Sequence, residues 1–328
     1  MKKLRKFLSR WYHIILNTCG GISCYYNDMR YFMKESNLGS RCDTEARMRA
    51  SMTATYHIIE KGLSMPNRRL GFGREKLISL LRICSCYYKT YGMHGQLYYA
   101  ISIVKEYDEL HKKELYNLDK VLQDSIDALL AQFPDIEEAQ QKTFTKESFF
   151  AHTSSSFNVF SDSRHSMRHF NGSVSIKTIE KAVEIAKNAP SACNKQPVRL
   201  YLECDKKTIS EVLDLQQGNR GFGQNIDKVI IVTTQFTGCT RFSERYMPFM
   251  DAGIFSMNLL YALHFYHVGA IPLVWLNSEE RDRKLREIVS IPHNEIPALV
   301  IGVGDVTDNI ICAQSPRLDL SEILKMKE

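Results

Sequence analysis

Arg164-His165-Ser166-Met167-Arg168-His169-Phe170 and, about 25 residues further on, Ala189-Pro190-Ser191-Ala192-Cys193-Asn194-Lys195-Gln196-Pro197 are the stretches on which the reading of this chain turns. A phosphate monoester dianion needs fixed cationic forks and hydroxyl donors, and Arg164 with Ser166 supplies both two residues apart. Arg168 can reach a different, less charged part of the same ligand. Alone, such a loop is as readily a solvated arginine-rich surface. Its position before a helix, with the proline-bounded second stretch after that helix, gives it weight.

Outward from these stretches the pattern alternates between helix and strand. Ile176, Ile179, Val183 and Ala186 fall on one face of a helix over about 175–188 that stops before Pro190. Strands are expected at Val198–Leu202, Lys228–Thr234, 270–276 and 298–303, with helices at 207–216 and 279–289. Residues 249–267 are apolar nearly all round, as in a helix buried within a domain. These elements make an α+β layer structure with a central sheet of four or five strands flanked by helices.

In these two stretches the chain resembles the nitroreductase family, whose domains open with R-x-S-x-R/K-x-[FY], a helix, and then A-P-S-x-x-N-x-Q-P. Gln217-Gly218-Asn219-x-x-Phe222, Asp251-Ala-Gly253, Gly269, Ile291-Pro292 and Ile301-Gly302-Val-Gly304 follow in family order, so the resemblance covers roughly residues 160–322. It implies an FMN-dependent oxidoreductase that takes hydride from NADH or NADPH onto the flavin and passes electrons to a small-molecule acceptor in the same pocket. Arg164 and Ser166 would hold the FMN phosphate, with His165 between them in the cofactor site, Arg168 the pyrimidine side of the ring, Asn219 its polar edge, and Arg317 the phosphate again. Pro190, Ser191 and Ala192 would approach from a partner subunit, so a homodimer is implied; Asn194 either contacts the ligand or fixes the turn. No residue is assigned a catalytic role, since the cofactor carries the chemistry, and none a metal. Two features depart from the family: Trp275 stands where a glycine is common, which would narrow the pocket over the flavin, and the domain is short. Asp251 reads as a cap of the central helix.

The rest of the chain is helical in pattern. Residues 1–135 read as an all-helical region, 136–160 as a polar, Ser-rich linker and 161–328 as the flavin domain. Repeats run through Leu77, Leu80, Leu81 and Cys84, and through Leu110, Leu118, Leu122, Ile126 and Leu129. His57 and Glu60, three apart, share a helix face and read as a core histidine with a surface or paired glutamate. Their His-x-x-Glu-Lys-Gly-Leu-Ser setting is similar to that of nitroreductase-like proteins encoded beside surface-polysaccharide genes. Arg68, Arg69 and Arg74 around Gly71 and Gly73 read as a helix connection rather than an anion site.

The net charge of +6 is uneven: residues 1–105 carry 18 Lys and Arg against 6 Asp and Glu, whereas 151–328 carry 20 of each. Leu4, Phe7, Leu8, Trp11 and Ile15 recur at helical spacing among Lys2, Lys3, Arg5, Lys6 and Arg10. Residues 2–16 read first as a terminal helix docked on its own domain, with a peripheral membrane contact at the inner surface as the alternative. No DNA- or RNA-binding motif accompanies the basic excess, so nucleic acid is set aside. Nine cysteines without C-x-x-C or zinc spacing point to free thiols in a reducing cytoplasm. The rival from another class is a non-catalytic scaffold of the same fold whose basic half docks to a membrane or an acidic partner.

Overall fold

The structure is a computed structural model that describes the backbone of residues 2–326 and the side chains of 18–326. In chain order it runs α1 (Lys2–Glu35), α2 (Glu45–Leu63), α3 (Arg74–Tyr91), α4 (Gly95–Lys113), α5 (Lys120–Leu130), β1 (Lys142–Phe144), α6 (Lys146–Phe150), α7 (Phe157–Ser163), α8 (Ile176–Ala186), β2 (Val198–Glu203), α9 (Lys206–Gln216), β3 (Lys228–Gln235), α10 (Met247–Phe265), β4 (Gly269–Val274), α11 (Glu279–Val289), β5 (Glu295–Gly304), β6 (Ile310–Cys312) and α12 (Leu320–Ile323). The chain is mixed α and β. It divides into two compact units that do not follow its order, Met1–Glu35 with Thr145–Asp308, and Ser36–Phe144 with Asn309–Glu328.

In the first unit an antiparallel sheet has strand order β2-β3-β5-β4. β3 is central, and the alternation of the pleat sends Ile230 and Val232 into a core with Ala252, Leu259 and Leu263 of α10 and Ile179 and Ala182 of α8. α10 is the spine of that core. Asn258 on it donates to the carbonyl oxygens of Ile185 and Ala186, closing the end of α8. On the same strand as Val232, Thr233 donates to Glu295, which is buried and also accepts from Tyr201 and Gln235. α1 touches this unit along a narrow seam: a Cβ on Gly21 would meet the Phe242 ring at 2.5 Å, and Arg245 holds Asp28 through two bonds of 2.6 and 2.5 Å.

The second unit packs α2, α3, α4 and α5 around Met52, Ile59, Leu80, Leu97, Ile101 and Ile126. The leucine repeat from Leu110 to Leu129 is carried by two helices, because Asp119 caps a new start with its side chain accepting from the Leu122 amide. Gly62 lies inside α2, where its missing Cβ admits the Phe72 ring. β1 pairs with β6 in an antiparallel ribbon. The stretch 136–160 read as a linker is structured: Ile136 and Ala139 join the helical core, and Phe149 and Phe150 are buried in the first unit. Those few apolar residues were masked in sequence by the polar ones around them.

His57 and Glu60 pair as expected, with burial reversed. Glu60 is fully buried and His57 is half exposed. The Glu60 carboxylate accepts from Tyr99 at 2.5 Å and from the Ser315 amide at 2.6 Å and hydroxyl at 3.1 Å, with His57 Nδ1 at 2.7 Å. Burial alone would push its pKa up, but these donors outweigh it and hold the carboxyl below its ordinary range. In the loop ahead of α3, the Gly71 amide donates to His111 and Arg74 pairs with Asp119 and Glu75. No disulfide forms among the described residues, and no described helix is long and apolar enough to cross a membrane.

Candidate functional site

Both motif stretches belong to the first unit, and each is fastened to α10. The 164–170 segment follows α7 and is laced to the sheet margin by backbone bonds: the Met167 amide donates to Ala270 O at 3.0 Å, the Asn171 amide to Asp305 O at 2.9 Å and the Thr307 amide to His169 O at 3.0 Å. Gly172 at φ +137° makes the turn that lets this run continue, with Asp305 Cβ 3.3 Å from where its own Cβ would stand. Asp227 then accepts from Ser173 Oγ at 2.9 Å and the Val174 amide at 2.8 Å, fixing the entry to α8.

This lacing sets the depth of each side chain. Met167, Arg168, His169 and Phe170 are buried, whereas Arg164, His165 and Ser166 are intermediate. The Arg168 guanidinium, 6% exposed, lies 6.0 Å from the centre of the Phe222 ring. Arg164 and His165 line a crevice with Phe149, Leu260, His264 and Val268. Burial, followed by the positive charge of Arg164, pulls His264 down from 6.5 to about 4. Ser163 Oγ stands 2.9 Å from His264 Nε2, and the rings of Phe149, Phe150 and Phe160 surround it.

The second stretch sits at the other end of α10. Asp251 does not cap that helix, which begins at Met247; its carboxylate oxygens accept the Ala192 amide at 3.1 and 3.3 Å. Ser191 Oγ accepts the Gln196 amide at 2.9 Å, and Lys195 pairs with Glu244 at 3.0 Å. Cys193, Asn194 and Gln196 take φ of 51°, 54° and 48°, a left-handed conformation costing L-residues about 1–2 kcal/mol each. Pro190, Asn194 and Gln196 are exposed, and Ser191 and Ala192 intermediate. Such strain gathers at ligand-facing loops when surrounding bonds over-determine it.

The structure brings Arg164, His165 and His264 together, and Arg168 to Phe222. Asn219 is occupied elsewhere: its amide donates to Leu213 O at 2.6 Å, and its Oδ1 lies 2.3 Å from where a Cβ on Gly223 would be, so it shapes the turn that carries Phe222. Arg317 lies in the second unit, exposed, donating to Ser315 O at 2.8 Å. Trp275 is 3% exposed, and its Nε1 donates to Asp282 of α11 at 2.7 Å, while Val274 and Leu276 on either side are each 64% exposed. Two residues went unread in the sequence, His264 and the anchoring role of Asp251, because both are set by contacts across the fold.

Among known proteins, residues 162–219 match the Nitroreductase family, and no curated protein matches the chain. Similar solved structures include B. megaterium NfrA2 at 20% identity and TM-score 0.47, covering 52% of this chain and 73% of that one. An FMN-dependent nitroreductase from Clostridium difficile R20291 stands at 17% and 0.44, covering 52% and 98%, and a nitroreductase family protein from Clostridium novyi NT at 19% and 0.41, covering 51% and 90%. The motif that opens at Arg164 and runs through Pro190 to Asn219 is thus a nitroreductase-family segment, and the chain that carries it places a helical N-terminal region ahead of a nitroreductase-like α+β domain.

Proposed function

We propose that the α+β unit is an FMN-dependent oxidoreductase of the nitroreductase type that works as a homodimer, with NADH or NADPH as donor and a small molecule as acceptor. The observation that carries this reading is the layout along α10. Asp251 pins the Ala192 loop near one end, and His264 meets Arg164 thirteen residues on, about 20 Å away at the helical rise. Within one chain the two motif stretches are therefore apart. From the Asp251 end α10 exposes Met250, Ile254 and Met257 at 62, 46 and 36%, an apolar face at helical spacing. A two-fold pairing of such faces sets the Arg164 end of one chain beside the Ala192 end of the other.

The donor set suits a flavin mononucleotide. Arg164, His165 and Ser166 offer a guanidinium fork, a ring N–H and a hydroxyl for a phosphate, in a crevice where burial and then the charge of Arg164 hold His264 below its ordinary range. Arg168, nine-tenths buried, would balance negative charge on the ring, and the strained Pro190–Asn194 loop would lie against it from the partner chain. Met167, Phe170 and Phe222 keep water from the Arg168 side. When bound, the flavin supplies the two-electron transfer between donor and acceptor. Neutral His264 holds the Ser163 hydroxyl and adds no charge against Arg164. Asn219 enters only through the turn that places Phe222.

The test is the identity and amount of flavin released from the purified full chain. FMN near one per chain, bleached by NADH or NADPH without air, is the expected result. Chiefly FAD, or colourless protein that takes up no added FMN, would overturn the reading in favour of a scaffold.

A further inference from the structure

α1 presents a surface that the flavin reading leaves unused. It is a single helix of 34 residues, about 50 Å long, attached through Gly21, Cys24 and Asp28. Adjacent to that seam, Ile22, Tyr25, Tyr26, Met29 and Phe32 are exposed by 65, 54, 54, 56 and 59%. At 100° per residue they fall within an arc of about 120°. In the sequence the same arc continues upstream through Leu4, Phe7, Leu8, Trp11 and Ile15; the side chains of those residues lie outside the described part. Residues 1–35 hold seven Lys and Arg against two acidic residues, and the basic ones fall outside the arc.

We propose that α1 is a membrane-docking helix that lies flat on an anionic bilayer, with Ile22, Tyr26, Met29 and Phe32 facing the acyl chains. Two features select lipid over a second copy of the helix. A coiled-coil seam is a two-position stripe flanked by complementary charges, whereas here, between Leu4 and Phe32, the flanking positions carry only two charges, Arg5 and Asp28; Asp28 already pairs with the chain's own Arg245 and Gly21 faces Phe242, while Phe7, Ile14, Tyr26 and Met33 widen the apolar face. A wide aromatic and aliphatic face backed by Lys and Arg is the pattern of helices that lie in the headgroup region. The like charges of two such helices would repel, and anionic headgroups complement them.

Flotation of the full chain with vesicles of phosphatidylcholine, alone or mixed with phosphatidylglycerol, tests this. Recruitment should be at least about tenfold stronger with the anionic lipid and weaken with added salt. Met29→Asp, on the arc, should lower it about tenfold, while Tyr31→Asp, 71% exposed on the opposite side, adds the same charge and should leave most of it. Flavin content and circular dichroism should be unchanged in both, which separates this outcome from any failure of the flavin reading. Equal, low recruitment to both vesicles, or equal effects of the two substitutions, would overturn the proposal. So would lipid-free self-association abolished by Met29→Asp, which would assign the face to a second copy.

Discussion

Arg164, Arg168 and His264 differ mainly in depth, and depth decides what each substitution should do. Arg164→Ala removes a charge-assisted contact worth about 2–3 kcal/mol, so FMN should bind some tens of times more weakly; an unchanged titration midpoint would remove Arg164 from the site. Arg168→Ala should keep much of the affinity but lower the flavin's midpoint potential in a redox titration, because a buried cation favours the anionic reduced ring. His264 makes a prediction about pH that needs no ligand. Its folded pKa of about 4 lies below the ordinary 6.5, so between those values the unfolded chain takes up a proton that the folded chain refuses. The stabilisation is full above pH 6.5 and is lost as pH falls toward 4, by roughly 3 kcal/mol in all. Denaturant melts across that window should show the slope, and His264→Gln should flatten it.

At the scale of elements, Glu60 ties α2 to α4 and to the segment around Ser315. Its depressed pKa means that its contribution is present above the ordinary glutamate range and disappears as pH falls through the lower, folded value. Glu60→Gln keeps the shape but leaves one oxygen for donors that now share two, and should cost about 2–4 kcal/mol in chemical denaturation. Sequence made the pattern legible here only in part. Helix and strand positions from 175 onward were readable because periodicity and turn residues agree there: the strand expected at Lys228–Thr234 is β3, and the helix at 279–289 is α11. The break between α4 and α5 was not, since the leucine repeat runs across it and only the Asp119 cap marks it. Spacing showed that His57 and Glu60 share a face, but not which one faces inward, because the donors that make a buried carboxylate tolerable come from residues 99 and 315. Likewise the motif residues could be named from sequence, whereas Asp251 as the anchor of Ala192 required the fold.

At the scale of the whole molecule, assembly and flavin binding should rise and fall together. A ligand that binds only the paired state stabilises pairing by mass action. Light scattering over a dilution series should show FMN shifting the chain toward dimer, and Ile254→Arg on the exposed face of α10 should lose both dimer and flavin. A monomer with full flavin at every concentration would exclude the shared site. The interleaving of the two units bears on how the chain is made. Synthesis is vectorial, and residues 36–144 leave the ribosome long before 309–328, with which they form one unit. Until Ile310–Cys312 emerges, β1 lacks β6, its ladder partner, and until Ser315 follows, the Glu60 carboxylate lacks two of its donors. The helical half, translated early, therefore completes its folding last, and a nascent chain stalled before Ile310 carries an open strand edge and a half-satisfied buried charge, features by which quality control distinguishes an unfinished protein from a finished one.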